Sequence, residues 1–296
     1  MTGVLAAPLP VSPWGGLLAA YFTVIGLPSG LTLATWWRRA RNPAADLALD
    51  WRATWVCLLL LSGAGLLLTV DLGRPERFFL MLTRFGNWDS PISLGAKIIA
   101  VKTFLLGTAL YLLWRRRAAA TPGSAPPPAR GMTRHLDQTV VWLLGFTSLA
   151  LAVYPIAVLA RSWVSPLAAT SGAALLYLIT ALLMGIAAIQ LLDIPQQPAR
   201  GQASLYRQVT LVLLLAYTVA LLFTAVSVTG EPAEAALDAL ATGQWAPLLY
   251  GGVLGIGLLL PAVTLTIAWG RRWAAPAAAV AILIGACTLR YLIFTA

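Results

Sequence analysis

Long apolar runs separated by short polar segments make up most of this 296-residue chain. A membrane-spanning helix needs about 20 mainly apolar residues, and eight runs approach or exceed that length. The predicted spans are Trp14–Trp37, Thr54–Val70, Ile92–Trp114, Thr139–Ala160, Leu167–Leu192, Val209–Val228, Leu248–Trp269 and Ala274–Phe294. No stretch alternates as a membrane β-strand does. The pattern therefore predicts an all-α integral membrane protein with eight transmembrane helices, because helices pair their own backbone groups in lipid.

Charge is sparse and unevenly distributed between the two sides of the predicted bundle. Only 10% of residues are charged, against about 25% in a soluble domain. Five arginines fall on one side: Arg74, Arg77, Arg84, Arg161 and Arg290. Thirteen fall on the other: Arg38, Arg39, Arg41, Arg52, Arg115, Arg116, Arg117, Arg130, Arg134, Arg200, Arg207, Arg271 and Arg272. The positive-inside rule places the thirteen in the cytoplasm and both termini in the periplasm. We therefore expect a multi-pass protein of the bacterial inner membrane, with its basic loops serving as topology signals and not as a nucleic-acid surface.

Two polar segments organise the rest of the chain. Residues 118–131 are rich in proline and alanine and are predicted to form an extended cytoplasmic linker between the third and fourth helices. The predicted division is a four-helix bundle over residues 1–164 and a second over residues 165–296. From Glu231 to Gln244, acidic residues recur at helical spacing and predict a short outer surface helix. Its acidic face either docks a partner or is simply solvated.

The run from Asp71 to Phe79 is the most distinctive motif in the chain. Two carboxylates and two arginines follow directly on an apolar helix, and Trp88 and Ser90-Pro91 precede the next one. Charges at a helix mouth in a membrane protein usually serve a site or an interface. The motif resembles the membrane subunit of the polysulfide reductase (NrfD-like) family. The resemblance implies eight spans, a menaquinone or ubiquinone site, a ferredoxin-like iron–sulfur partner subunit and a molybdopterin catalytic subunit.

The residue inventory argues against a redox centre held by this chain. Its one histidine, His135, lies in a basic linker, so two histidines cannot hold a haem within the bundle. Its two cysteines, Cys57 and Cys287, lie inside separate apolar helices and form no C-x-x-C pair. We therefore expect no haem, iron–sulfur cluster or metal in the chain, and electrons must arrive through a partner.

Polar groups at similar predicted depth suggest where a quinone binds. Tyr21, Asp71, Lys97 and Tyr154 are all expected in the outer half of the first four helices. Quinone chemistry needs hydrogen-bond donors for two oxygens and a route for protons. By resemblance to the family, Tyr154 looks like the tyrosine of helix four that contacts the quinone. Some relatives carry an asparagine and a histidine in helix one for the same purpose, and Tyr21 is the nearest polar residue to them in this chain. The alternative is that the tyrosines are interfacial anchors and that Lys97 snorkels.

Two further sets of residues complete the functional prediction. Asp71, Lys97 and the deeper Lys102 are candidates for a proton path, since a mid-membrane lysine needs a partner or a wet cavity. Arg74, Glu76 and Arg77 are candidates for partner docking. The predicted function is a quinone-binding membrane anchor of a multi-subunit oxidoreductase, without catalysis by the chain alone. The alternative is a secondary transporter or proton-conducting protein without a redox role.

Overall fold

A computed structural model describes residues 16–41, 47–71, 91–119, 132–162, 166–194 and 200–295, and within these ranges the ordered elements are all helical. In chain order they are α1 (Gly16–Val24), α2 (Gly26–Arg41), α3 (Leu47–Asp71), α4 (Pro91–Ala118), α5 (Met132–Ser162), α6 (Ser171–Asp193), α7 (Arg200–Val226), α8 (Glu231–Ala241), α9 (Leu248–Leu259), α10 (Leu260–Thr266) and α11 (Ala274–Thr295). A single turn at Pro166–Ala169 precedes α6.

Seven helices in the described ranges are long and apolar enough to cross a membrane. They are α3, α4, α5, α6, α7, the continuous α9 and α10, and α11. A multi-pass helical membrane protein is thereby confirmed. The eighth crossing, at the N-terminus, stays a prediction, as does the periplasmic placement of the termini.

The predicted first span is divided at Ile25 into α1 and α2. Pro28 lies in the first turn of α2 and has no N–H, so it cannot donate to a carbonyl of the preceding turn. At Gly26, an added Cβ would overlap the guanidinium group of Arg290. The helix is therefore interrupted where a proline removes a donor and a distant arginine approaches the backbone. A hydropathy profile does not register this break, because both halves are apolar.

The closest helix packing joins α2 to α6. A Cβ added at Gly30 would overlap the carbonyl of Ala181, and one added at Gly185 would overlap the backbone of Gly30. Small residues allow this approach between membrane helices, where van der Waals contact provides much of the association energy. The contact connects the predicted N-terminal and C-terminal halves. Their division into two four-helix bundles near residue 164 stays a prediction.

The α9 segment is a wide helix with i→i+5 hydrogen bonding at its end, where the Leu260 N–H donates to the Gly255 carbonyl. It packs against α11 through glycines, and a Cβ at Gly257 would lie 2.7 Å from the Gly285 Cα. Glycines of the seventh predicted span, Gly257 among them, therefore allow this helix to pack closely against α11. Helices with i→i+5 hydrogen bonding are rare and are usually only one turn long.

The predicted surface helix is confirmed as α8. Ala233, Ala236 and Leu240 are buried on one face. Glu231, Glu234 and Asp238 are exposed on the other. This amphipathic spacing explains why a short helix forms between two long apolar segments.

Arginines occupy two different environments in the fold. Arg38 and Arg39, at the end of α2, both contact the carboxylate of Asp50 in the first turn of α3. Arg290 is only 1% exposed and lies among α1, α6 and α11. Counting Arg290 with the outer loops was therefore wrong, since its side chain points into the protein.

Candidate functional site

Two tyrosines from different helices, α1 and α5, meet inside the protein. Tyr21 is 1% exposed and Tyr154 is 6% exposed. Their hydroxyl groups lie within interaction distance of each other. The Tyr21 Oη makes no hydrogen bond of normal geometry with any described residue. A buried hydroxyl usually has a partner, so this oxygen retains bonding capacity for a ligand.

Aromatic packing and one glycine hold the tyrosine pair in place. The Phe22 ring centroid lies 5.1 Å from that of Tyr21 and 6.3 Å from that of Tyr154. On the other side of Phe22, Phe294 of α11 lies at 5.9 Å. A Cβ at Gly95 of α4 would overlap the Tyr154 ring and its hydroxyl. The Tyr154 side chain therefore occupies space that only glycine leaves open on α4.

Lys97 lies on the same helix as Gly95 and is 6% exposed. It follows Gly95 by two residues, and positions two apart on an α-helix do not share a face, so its place beside the tyrosines stays a prediction. The backbone of Asp71 ends α3, and its side chain is outside the described part of the chain. Arg74, Glu76 and Arg77 also lie outside the described residues.

Lys102 occupies a separate and deeper position. It lies five residues beyond Lys97, about 7.5 Å along the helix axis, and is fully buried. Its Nζ donates to the Pro28 carbonyl over 3.2 Å. Cys57 and Thr32 also donate to that carbonyl, at 3.6 and 2.7 Å. A cation in this setting is expensive unless hydrogen-bonded, and the Pro28 carbonyl in the first turn of α2 supplies its acceptor.

A narrow crevice extends from this region toward the basic side of the protein. It has a volume of about 40 Å³, and Cys57, Thr32, Thr35, Thr54 and Arg39 contribute polar groups to its lining. Such a volume is large enough to hold water where polar partners are present. Hydroxyl groups and the thiol thus connect the end of α2 with the region of Lys102.

Arg290 joins three helices around the break at Ile25. Its guanidinium donates to the Phe22 carbonyl at 3.2 Å, to the Tyr177 carbonyl at 2.6 Å and to Thr180 Oγ1 at 3.1 Å. It also lies 4.6 Å from the centroid of the Tyr177 ring, a favourable cation–π distance. Arg290 thereby anchors the backbone of Phe22, next to Tyr21.

Sequence reasoning placed Tyr21, Lys97 and Tyr154 at one level but did not give Arg290 or Pro28 a role at the site. An isolated arginine in an apolar helix was the available signal, because an intramembrane charge normally has a specific partner. The role of Pro28 as an acceptor could not be predicted from the sequence, because it depends on the position of the Lys102 ammonium group in the folded protein.

The fold and its polar interior define a polytopic membrane protein with a buried polar site. Residues 5–296 match the family described as "Polysulphide reductase, NrfD". The chain belongs to this family, and membership indicates a membrane subunit of polysulfide reductase-like complexes. No curated protein sequence matches the chain significantly. In the described ranges, no group of three or more histidine, cysteine or acidic side chains forms a metal site.

Proposed function

We propose that this chain is the quinone-binding membrane anchor of a multi-subunit molybdopterin and iron–sulfur oxidoreductase. It exchanges electrons between the quinone pool and a ferredoxin-like subunit that contacts a molybdopterin catalytic subunit. The observation that carries the proposal is the buried Tyr21–Tyr154 pair, in which the Tyr21 hydroxyl makes no hydrogen bond of normal geometry with a described residue, in a chain of the NrfD family. The bacterial inner membrane is the proposed location, with α1 and α2 together making the eighth crossing.

The tyrosine pair fits the chemistry of a quinone headgroup. Quinone carbonyl oxygens accept hydrogen bonds, and Tyr21 and Tyr154 offer hydroxyl donors in a site shielded from water. Bound quinone, menaquinone or ubiquinone, supplies the two-electron, two-proton chemistry. Lys97 is buried on α4, two residues after the glycine that the Tyr154 ring contacts, and we assign it and Asp71 to the proton route toward the outer side. Lys102 is the candidate for a route toward the opposite side.

An apolar groove beside α1 is suited to hold the isoprenoid tail of the quinone. It lies between α1 and α3 with a volume of about 390 Å³ and is lined by Val24, Leu59, Gly63, Leu66 and other apolar residues. Leu59 and Leu66 are more than half exposed, so the groove opens to the hydrocarbon region. Val24 lies one turn after Tyr21, which connects the groove to the tyrosine pair.

Replacing Tyr154 with phenylalanine tests the site directly. The ring and its packing on Gly95 stay, and only the hydroxyl is lost. Loss of one hydrogen bond to a neutral group is expected to cost about 0.5–1.5 kcal/mol, or roughly two- to tenfold in quinone affinity. Quinol-dependent turnover of the complex should therefore fall, while dye-linked activity of the catalytic subunit persists. Steady-state kinetics with a soluble quinol analogue measure the difference.

Tyr217→Phe is the matched control for that experiment. Tyr217 on α7 is also buried with a hydroxyl that lacks a partner among the described residues, but α7 packs mainly against α6 and not against the helices of the tyrosine pair. Its substitution should leave quinol kinetics unchanged. Identical quinol kinetics in Tyr154→Phe and the parent would remove Tyr154 from the proposed site.

Partner docking is assigned to the charged run after α3, on Arg74, Glu76 and Arg77. Arg77→Glu is expected to release the iron–sulfur subunit from membranes while this chain stays inserted, because reversed charge at an interface is repulsive. Co-purification from solubilised membranes measures the release. Arg84→Glu, the same charge change beyond the run, should retain the subunit. An intact and active Arg77→Glu complex would exclude this run as the docking surface.

Lys102 and its polar crevice favour ion conduction as the second candidate function. The alternative is a transporter or proton-conducting protein without redox work. Transporters built from repeats carry broken helices in matching positions of the two halves. The irregular helices here are the first predicted span and the seventh, which do not correspond in a division into two sets of four. Only the redox function requires quinone and an iron–sulfur subunit in one purified complex, so co-purification separates the two candidates.

A further inference from the structure

A large cavity lies at the membrane face where α6 ends and α7 and α11 begin. Its volume is about 850 Å³, a size typical of ligand sites. It is far from the Tyr21–Tyr154 pair, since those residues lie near the opposite ends of the helices. Gln190, Ala203, Tyr206, Trp269 and Pro276 contribute to its walls.

The mouth of the cavity is basic. Arg271 and Arg272 line it and are exposed. Arg207 of α7 stacks on Trp269 at 5.0 Å from the ring centroid, and its Nε has no hydrogen-bond partner in the described part of the chain. The lining residues include no acidic side chain among those the structure describes. Asp193, at the end of α6, is buried and accepts a hydrogen bond from Gln202 over 3.3 Å.

The cavity adjoins a helix that faces lipid. α7 packs mainly against α6 and only weakly against α10. Val212, Leu215 and Val219 of α7 are each more than half exposed. A molecule whose anionic end occupies the mouth can therefore extend apolar chains along α7 into the hydrocarbon region.

We propose that this cavity binds an anionic phospholipid, with its phosphate at Arg271 and Arg272. Guanidinium groups bind phosphate oxygens through paired, charge-assisted hydrogen bonds, and basic pockets between membrane helices accept anionic lipid headgroups. The apolar and aromatic walls match the glycerol and upper acyl regions, which a free anion lacks. A lipid at this position fills the gap between α7 and the start of α11.

Native mass spectrometry of the purified full chain in detergent tests the proposal. The probes are dioleoyl phosphatidylglycerol and dioleoyl phosphatidylcholine, which share acyl chains and differ in net charge. The parent should retain phosphatidylglycerol in preference to phosphatidylcholine. Arg271→Gln with Arg272→Gln should weaken phosphatidylglycerol binding about thirtyfold, from roughly fivefold per arginine near an anionic headgroup. Equal binding of the two lipids by the parent would overturn the proposal.

Matched variants separate a site from a general charge effect. Arg115 and Arg134 are exposed arginines of α4 and α5, and Arg115→Gln with Arg134→Gln removes the same charge elsewhere. This control should bind phosphatidylglycerol as the parent does, and an equal loss in both double variants would overturn the proposal. Ala203→Phe fills the cavity without changing charge and should also lose the lipid. Retention in Ala203→Phe, or displacement by millimolar inorganic phosphate, would contradict a lipid site.

Discussion

Gly30→Ala is expected to destabilise the protein by about 3 kcal/mol, at the upper end of the usual cost of overpacking. The new Cβ would overlap the carbonyl of Ala181, and a backbone group cannot move aside as the end of a flexible side chain can. α2 and α6 must then separate, which weakens contact along both helices. Unfolding of the purified chain by titration with sodium dodecyl sulfate measures the loss.

Gly107→Ala gives this experiment a control with the opposite sign. Gly107 lies in α4, and a Cβ there meets nothing within 4 Å. Alanine is favoured over glycine inside a helix by about 0.5–1 kcal/mol, so Gly107→Ala should be neutral or stabilising. If Gly30→Ala were as stable as Gly107→Ala, the close contact of α2 and α6 would be wrong.

Arg290→Leu is expected to cost about 2–4 kcal/mol of stability. The substitution leaves the Phe22 and Tyr177 carbonyls without their guanidinium donors, and each unsatisfied buried group costs about 1–3 kcal/mol. Part of this cost is offset, because removing Arg290 also removes the free-energy penalty of burying a charged group away from water. The net effect is destabilising because the backbone carbonyls that accept from Arg290 have no water to replace the lost donor. Detergent-induced unfolding again provides the measurement.

Arg115→Leu is the control for charge and length, since Arg115 is exposed at the end of α4. It should unfold at nearly the parent's denaturant concentration. A parent-like midpoint for Arg290→Leu would mean that dehydration of the arginine cancels its three hydrogen bonds. Tyr177→Phe then isolates one part of the cluster, since the Tyr177 hydroxyl donates to the Arg290 carbonyl at 3.2 Å.

Hydropathy predicts the helices well and their ends less well. The second predicted span, Thr54–Val70, is α3 from Leu47 to Asp71. Its first turns contain Asp50 and Arg52, which a search for apolar residues excludes. Asp50 is nevertheless buried because Arg38 and Arg39 pair with it. Helix ends of this kind depend on partners from other helices, and a local pattern does not contain them.

The site follows the same rule. Depth along each helix was enough to predict that Tyr21 and Tyr154 lie at one level, because the rise per residue is fixed. Which way a side chain points is not fixed by depth, and Arg290 was assigned to the wrong environment for that reason. Lys102 was predicted to need a partner or a wet cavity, and in the structure its ammonium group donates to the Pro28 carbonyl. That acceptor can be identified only when the arrangement of α2, α3 and α4 relative to one another is known.

The i→i+5 bonding at the end of α9 places more residues in each turn than an α-helix holds. An α-helix turns the chain by about 100° per residue, and a segment with i→i+5 bonds turns it by less. Deleting one residue between Leu248 and Leu259 would let a turn return to i→i+4 bonding, and the residues after that turn would keep nearly the same direction. Single-residue deletions among homologues should therefore be found in α9 more often than in α6, whose regular bonding offers no extra residue.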